Sequence, residues 1–385
     1  MKSFLPGSTI GILGGGQLGR MLAIAAKPMG YKILTLDPAE NSPCGQVADW
    51  QIVAKFSDLT AALQFAKKCD VATIEFENVD AKAVELIEKQ GILVRPSSAV
   101  LHVTQNRLRQ KEFLRGIGIG TANFRKIGKG SKIESSGGAK KADFKYPAIL
   151  KTSSLGYDGK GQWICKNEGE VKKIVLKNPG MEFILEEKVN FAREISIVGA
   201  RGADGEFVTY PVGENVHKNG ILDTTVVPAG IDLKVATEAE KIIKKIALKF
   251  DYVGVLCIEM FLLNDGKLLV NEIAPRTHNS GHYSIDACEF SQFEQQVRAV
   301  CGLKLEEPDL QSTCCMVNIL GDGSGNVLKG SEKLLQEKNV FLHLYGKTDA
   351  RKARKMGHFT VLAKTPKAAF EKANKIRKYL KWAKK

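Results

Sequence analysis

Two glutamates stand where strand-like sequence is otherwise apolar: Glu259 in Cys257-Ile258-Glu259-Met260-Phe261 and Glu272 in Leu268-Leu269-Val270-Asn271-Glu272-Ile273. An unpaired carboxylate is costly to bury, so each acid needs a cation or a donor. Asn264-Asp265-Gly266 between the runs reads as a turn, and a hairpin closed there sets Glu259, Glu272 and Asn271 side by side. A few hard oxygen ligands on a rigid hairpin suit Mg²⁺ whose other sites are filled by phosphate oxygens; a salt bridge to Lys or Arg is the plainer alternative. Upstream, Lys151 ends a β-like run and precedes Gly156-Tyr157-Asp158-Gly159-Lys160-Gly161-Gln162. Glycines at 156, 159 and 161 let N–H groups turn toward phosphate oxygens, while Lys151 and Lys160 supply charge. No Gly-Lys-Ser/Thr opens a helix there, so the loop is not a Walker A sequence, and an ordinary exposed hairpin is its competitor. Directly after Glu272, the residues Arg276, His278, Asn279 and Ser280 suit an anion-binding loop. His278 and His282 have zinc-like spacing, but Pro275 and Gly281 argue for a loop and no third ligand is evident.

A second glycine cluster, Gly14-Gly15-Gly16-Gln17-Leu18-Gly19, follows a strand-like run and opens a helical one, with Asp37 at the end of the next strand. This fits a dinucleotide fingerprint, and a mononucleotide phosphate would use the same helix N-terminus. A tight strand-to-helix turn without a nucleotide is the structural alternative.

The elements that must position these groups read as follows. Up to residue 115, strands at 9–13, 31–36 and 71–74 alternate with helices at 17–29, 60–68, 81–90 and 104–115, the signature of a doubly wound parallel sheet. From about 115 to 300 the pattern becomes mixed α+β: strands near 146–151, 182–187, 194–199, 207–210, 253–261 and 267–272, with a helix at 237–249. Beyond Gly302, strands at 315–320 and 358–362 precede a terminal helix from Pro366, whose Ala369, Ala373, Ile376, Leu380 and Ala383 recur at helical spacing.

The 385 residues support two or three domains, and 44% hydrophobic content excludes a disordered or fibrous chain. Lys and Arg exceed Asp and Glu by 57 to 42, a net charge of +15. Fourteen of those bases and two acids lie from His343 onward, so +12 sits on the last 43 residues and about +3 on the rest. A uniformly basic polyanion binder is thereby excluded. The eight cysteines show no CxxC and read as free, mostly core thiols of a reducing cytoplasm. Pro6 and Gly7 interrupt the start too early for a signal peptide, and no run reaches the length of a membrane span.

Lys151, the 156–162 loop, the run Ile184-Leu185-Glu186-Glu187-Lys188-Val189 and the Glu259, Asn271, Glu272 group together resemble the ATP-grasp superfamily. Within it, Gly14 to Met21, Glu75-Phe76-Glu77-Asn78-Val79, the loop from Ala274 to His282 and Arg351-Lys352-Ala353-Arg354-Lys355-Met356-Gly357-His358 resemble the 5-(carboxyamino)imidazole ribonucleotide synthases. The resemblance implies an α/β chain in three parts: a Rossmann-like pre-ATP-grasp domain over 1–110, an ATP-grasp domain over 111–300 with a lid at about 120–190, and a small C-terminal domain over 301–385. It implies an ATP-dependent ligase that makes carboxyphosphate from bicarbonate and transfers the carboxyl group to the amine of 5-aminoimidazole ribonucleotide in purine biosynthesis. By the same resemblance Arg107 and Lys151 contact nucleotide phosphates, and Gly156, Tyr157, Asp158, Gly159, Lys160, Gly161 and Gln162 close over them. Glu186, Glu187, Lys188 and Val189 form the adenine hinge, Glu194 takes the ribose, His217 lines the site, and Glu259 and Glu272 hold Mg²⁺ beside Asn271. Tyr157, Asp158, Lys160, Arg276, His278, Asn279 and Ser280 frame carboxyphosphate and the imidazole, with His278 and Asp158 as candidates for accepting the amine proton. Gly16, Gln17, Leu18, Glu75 and Asn78 join the ribonucleotide site, whose phosphate falls to Arg351, Arg354 and Lys355. The family's lid loop commonly begins with two glycines, and Leu155 stands in place of the first. A cytoplasmic homodimer with small-molecule substrates, ATP and Mg²⁺, and no nucleic-acid or membrane partner, completes the expectation.

Three rivals stay in view. Another ATP-grasp ligase would differ only in its acceptor or acyl phosphate. An NAD-dependent oxidoreductase would use the Gly14–Asp37 pattern but leave Lys151 and the strand carboxylates without work. A nucleic-acid binder would use the basic end, which reads better as a docked helix with a solvated face.

Overall fold

The computed structural model describes residues 2–128, 133–134, 144–154 and 161–384. Its first unit runs β1 (Thr9–Leu13), α1 (Gln17–Ala26), β2 (Lys32–Asp37), β3 (Trp50–Val53), α2 (Leu59–Ala66), β4 (Val71–Ile74), α3 (Ala81–Lys89), β5 (Leu93–Val94), α4 (Ser98–Thr104) and α5 (Arg107–Gly116). The strands form a parallel sheet in the order β3-β2-β1-β4-β5. With helices on both faces, its central strands must be apolar throughout, and Ile10, Ile12, Ile33, Leu34, Val71 and Ala72 are all buried. The helix expected over 104–115 is two helices: α4 ends at Thr104, and Asn106 caps α5 by accepting from the Arg109 N–H.

A five-stranded antiparallel sheet follows, ordered β7-β6-β10-β8-β9. It comprises β6 (Phe124–Ile127), β7 (Ile133–Glu134), β8 (Ala148–Thr152), β9 (Gln162–Cys165), α6 (Glu168–Lys177) and β10 (Phe183–Glu187). The chain then builds β11 (Arg193–Arg201), β12 (Phe207–Thr209), β13 (Gly213–Lys218), β14 (Ile221–Val227), α7 (Leu233–Lys249), β15 (Gly254–Leu262), β16 (Leu268–Ala274), α8 (Ser284–Ala287) and α9 (Gln292–Cys301). The period-3.6 residues Ala239, Ile242, Ile243 and Ile246 of α7 share a core with Ile195, Ile197, Leu256 and Ile258 of the sheet. Helix α9 packs back on the first unit, where Phe293, Val297 and Val300 join Ile10, Leu18, Met21 and Leu22.

The last stretch holds β17 (Thr313–Leu320), β18 (Val327–Lys329), α10 (Ser331–Gln336), β19 (Val340–Leu344), β20 (Lys355–Ala363), α11 (Pro366–Ile376) and β21 (Lys381–Ala383). It has its own core of Val317, Phe359, Ala369, Ala373, Ile376 and Trp382, but not its own main sheet. β17 pairs with β14, so the strands run on as β16-β15-β11-β13-β14-β17-β20-β19, nine in all with β12 beside β11. The terminal helix is shorter than its spacing suggests. It stops at Ile376, and after a single 3₁₀ turn the chain extends as β21 against β18, with Ala383 on a strand and Leu380 at the turn's end. All eight cysteines are free, seven of them buried. No helix among the described residues is long and apolar enough to cross a membrane.

Candidate active site

The acidic hairpin is β15 and β16, with Glu259 opposite Glu272. Met260 then pairs with Val270, so Asn271 is an extra residue in a bulge, the device by which a strand re-aims side chains beside a site. Burial pushes the Glu259 carboxyl up, and Glu272 adds to the rise while His217 opposes it. Two carboxylates that face each other in this way form a set of hard oxygen donors, whose chemistry fits Mg²⁺. His278 Nε2 lies 3.6 Å from Glu259 Oε1.

On the neighbouring strands, Glu194 of β11 and His217 of β13 meet at 2.6 Å through Oε2 and Nδ1. Burial would lower the His217 imidazole, but its bond to Glu194 and the charges of Glu259 and Glu194 raise it. Across the cleft, Lys151 of β8 and Lys111 of α5 share Glu186 of β10, with Nζ to Oε2 distances of 2.9 and 3.6 Å. Burial alone would raise Glu186, yet the two ammonium groups hold it at about 2. Burial draws Lys111 down to about 8. Glu186 Oε1 is buried without a hydrogen-bond partner among the described residues. The Arg107 guanidinium donates to the Thr152 carbonyl at 2.9 Å, one residue from Lys151. Glu187 accepts from the Lys145 N–H at 2.8 Å, while Lys188 is exposed and Val189 half-buried at the end of the same strand. Gln162 begins β9 opposite Lys151 and Gly161 just before it accepts from the Thr152 N–H at 2.9 Å, whereas Gly156, Tyr157, Asp158, Gly159 and Lys160 lie outside the described residues.

The loop after β16 is held from three sides. The Arg276 guanidinium grips Glu77 through two hydrogen bonds, Nε to Oε2 and Nη2 to Oε1. Burial would raise Glu77, but Arg276 keeps its carboxyl below the usual range. Asn279 and Asn318 of β17 exchange amide hydrogen bonds at 2.9 and 2.7 Å. Gln292, the first residue of α9, accepts from the His278 N–H at 2.8 Å and donates to the His278 carbonyl at 2.7 Å. Burial and the charges of Arg276 and Lys355 push the His278 imidazole well below its ordinary value.

The Gly14–Gly19 turn does not present an open N-terminus. Glu75 accepts from the N–H groups of Gly16 at 3.0 Å and Gly19 at 3.2 Å, and Asp37 accepts from Gly15 at 2.7 Å. A Cβ at Gly16 would sit 2.8 Å from Glu75 Oε1, so the glycine is required by its own carboxylate cap. Carboxylates on these amides repel a phosphate, which removes the dinucleotide fingerprint reading. Leu18 points into the core, so only its backbone faces the site, while Gln17 and Asn78 are half-buried. At the other end of the cleft, Lys355 opens β20, and its charge is felt at Glu77, His217, Glu259 and His278. Arg351 is largely exposed and pairs with Asp349 at 2.8 Å, and Arg354 donates to the Asp349 carbonyl.

Behind the loop, Asp286, His343 and His358 place ligand-type atoms within 4.8 Å of one another. The His343 and His358 rings stack at 4.6 Å and 17°, so their in-plane lone pairs run side by side and do not converge on an ion. Both Asp286 oxygens lie 2.9–3.0 Å from His343 Nε2, and Tyr345 holds His358 Nδ1. This is a hydrogen-bonded joint between α8, β19 and β20.

Three site residues escape the sequence reading. Glu77 stands in the motif Glu75-Phe76-Glu77-Asn78-Val79, between the candidates Glu75 and Asn78. Lys111, in a helix full of charges, reads as solvent-facing. Gln292 carries no local signal at all.

A lid sheet closing on a carboxylate-bearing sheet, with Lys151 on one and Glu259 and Glu272 on the other, defines an ATP-grasp ligase. Family models match in the same order: a ribonucleotide synthetase preATP-grasp domain over residues 7–105, an ATP-grasp domain over 112–293, and a phosphoribosylaminoimidazole carboxylase C-terminal domain over 314–372. The N5-carboxyaminoimidazole ribonucleotide synthase of Bacillus subtilis is 43% identical over 359 residues, 93% of this chain and 92% of that protein. Its Brucella melitensis counterpart is 45% identical over 363 residues, 93% and 97% of the two chains. Among solved structures, an N5-carboxyaminoimidazole ribonucleotide synthetase in complex with ADP aligns with a TM-score of 0.88 at 42% identity, covering 98% of both chains. The Aspergillus clavatus enzyme with ADP and 5-aminoimidazole ribonucleotide aligns at 0.87 and 30%, covering 97% of this chain and 98% of its own. The chain belongs to the N5-carboxyaminoimidazole ribonucleotide synthase family.

Proposed function

We infer that this protein carboxylates 5-aminoimidazole ribonucleotide to N5-carboxyaminoimidazole ribonucleotide at the expense of ATP, in purine biosynthesis. Bicarbonate is the carboxyl source: one of its oxygens takes the γ-phosphoryl group, ADP leaves, and the exocyclic amine captures the carboxyl group as phosphate departs. The observation that carries this reading is the convergence on one cleft of the Lys151–Glu186 pair, the Glu259–Glu272 pair, the loop at 276–280 and the Lys355 charge. Phosphoryl transfer needs positioning and neutralised oxygens more than covalent help, and these groups supply both.

Arg107 and Lys151 are assigned to the nucleotide phosphates, and the strand end from Glu186 to Val189 to adenine, where the orphaned Glu186 Oε1 is an acceptor for a bound nucleotide. Glu194 with His217 takes the ribose. Glu259 and Glu272, with Asn271 in the bulge between them, would hold Mg²⁺, which supplies charge neutralisation for the transferring phosphoryl group. Arg276, His278, Asn279 and Ser280 frame carboxyphosphate, and Gly16, Gln17, Leu18, Glu75 and Asn78 the ribonucleotide, with Arg351, Arg354 and Lys355 at its phosphate. Tyr157, Asp158 and Lys160 are assigned to carboxyphosphate and the imidazole as well, and carboxyphosphate, an intermediate that hydrolyses readily, calls for a site that excludes water. The three-part division at 110 and 300, the homodimer and a cytoplasmic location belong to the same proposal, and sedimentation tests the oligomer.

Release of ADP that requires bicarbonate and aminoimidazole ribonucleotide together is the expected result. Stimulation by formate or an amino acid in their place overturns the acceptor assignment in favour of another ATP-grasp ligase. Glu272→Gln is expected to abolish turnover and weaken Mg²⁺ binding measured by calorimetry with ATP; near-normal turnover at saturating Mg²⁺ removes that role.

A further inference from the structure

A line of polar side chains crosses the large sheet beneath the catalytic loop. Thr225 Oγ1 of β14 donates to Asn215 Oδ1 of β13 at 2.9 Å, and Asn215 Nδ2 donates to Ser196 Oγ of β11 at 2.8 Å. Ser196 Oγ in turn donates to Ser280 Oγ at 2.8 Å, and Ser280 Oγ lies 2.9 Å from His278 Nδ1. Thr225, Asn215, Ser196 and Ser280 are buried, each at most 5% exposed. A buried chain of this kind has two self-consistent senses, since every hydroxyl can turn and the Asn215 amide can flip.

One fixed donor chooses between them. The backbone N–H of Ser280 points at His278 Nδ1 at 3.3 Å. A main-chain N–H cannot reverse, so Nδ1 is an acceptor and carries no proton. An unprotonated Nδ1 is the nearest acceptor for the Ser280 hydroxyl, at 2.9 Å against 3.6 Å for Cys257 Sγ, so the hydroxyl shares that lone pair with the N–H and the links behind run in the same sense back to Thr225. The imidazole proton is left on Nε2, the nitrogen that faces Glu259 and the cleft.

We propose that Thr225, Asn215, Ser196 and Ser280 are positioning residues that hold His278 as its Nε2–H tautomer, so that His278 serves carboxyl transfer as a hydrogen-bond donor and does not accept the amine proton. This rests on the loop at 276–280 belonging to the carboxyl-transfer site, as assigned above. A preorganised donor stabilises negative charge that develops on a reacting oxygen without reorganising when the charge appears. The alternative, a general base at Nε2, would require the proton to sit on Nδ1, against the Ser280 N–H.

The full-length protein has six histidines, few enough for two-bond ¹H–¹⁵N correlation of the imidazoles, with His278→Gln identifying the signal. The expected spectrum has Nδ1 of His278 as the unprotonated nitrogen, and Ser196→Ala shifts part of the population to the other tautomer. In turnover, Ser196→Ala is expected to lower kcat about tenfold, the loss of one hydrogen bond's worth of orientation, with KM for ATP unchanged and Ser196→Thr recovering it. His278→Gln, which returns an N–H near Nε2, is expected to keep at least tenfold more activity than His278→Ala. A protonated Nδ1 in the unaltered protein overturns the proposal, as does His278→Gln no better than His278→Ala, or kcat and KM falling together in both Ser196 variants. If the protein shows no turnover with aminoimidazole ribonucleotide, the functional reading fails separately, because the spectrum reads the tautomer without substrate.

Discussion

Lys111 Nζ lies 2.6 Å from Thr121 Oγ1 and 3.6 Å from Glu186, fully enclosed, while Lys151 holds the same carboxylate from the cleft side. If Lys151 turns to a phosphate, as proposed, Glu186 keeps the Lys111 ammonium as its counter-charge, with Arg107 adding positive potential. Lys111→Met is therefore expected to cost roughly 1–3 kcal/mol in urea unfolding, the scale of a lost charge-assisted hydrogen bond with Lys151 still in place, and to raise KM for ATP, since Glu186 then retains Lys151 more tightly. Nothing in the sequence announces this lysine, because a charge in a charged helix is ordinarily solvated. The strand acids were legible for the converse reason: a carboxylate in an apolar run has no cheap explanation. His217 gives a pH test. Its folded value is raised by Glu194, so its contribution to stability is full below the unfolded value of about 6.5 and is lost as pH rises through the folded one. Thermal melts from pH 5 to 9 should lose that increment with rising pH, and Glu194→Gln should flatten it.

Helix α9 shows how an element far from the cleft in sequence governs it. Ser291 accepts from the Glu294 N–H at 3.2 Å and Glu294 accepts from the Ser291 N–H at 2.8 Å, a complete capping box that fixes where the helix starts. The next residue, Gln292, is thereby placed to clamp both backbone groups of His278. Ser291→Ala should cost about 1 kcal/mol of stability by chemical denaturation and leave kcat within a fewfold. Gln292→Leu, which strands a buried N–H and a buried carbonyl, should cost more than that and lower kcat as well; intact kcat would mean the loop holds itself. The capping box is readable as Ser-x-x-Glu, but its link to the loop is not, because the clamp depends on α9 docking against the first unit. The same non-local dependence explains the C-terminal helix. Leu380 and Ala383 keep a helical spacing, yet the strand at Val327–Lys329, more than fifty residues earlier, draws the chain end into an extended pair.

At the scale of the molecule, charge and topology meet at Lys355. The excess of bases at the C-terminal end is visible by counting, and the tail motif singles out Arg351, Arg354 and Lys355 as candidates for a phosphate, but neither shows how any of them reaches the cleft. The answer is the pairing of β14 with β17, which makes the C-terminal strands an extension of the catalytic sheet and carries the start of β20 to the cleft. Lys355 then adds positive potential at Glu77, Glu259 and His278, whereas Lys367 and Lys375 of α11 and Lys381 of β21 are exposed and Lys372 pairs with Glu337. Its charge should serve the ribonucleotide and not the nucleotide, to which Lys151 on β8 is assigned. Lys355→Ala is accordingly expected to raise KM for aminoimidazole ribonucleotide by about ten- to a hundredfold, the value of one charge-assisted contact, with KM for ATP unchanged. Lys355→Arg should recover most of the loss at low salt, and the gap between the two variants should narrow as ionic strength rises and screens the interaction. Equal weakening toward both substrates would assign Lys355 to the integrity of the shared sheet instead of to the phosphate.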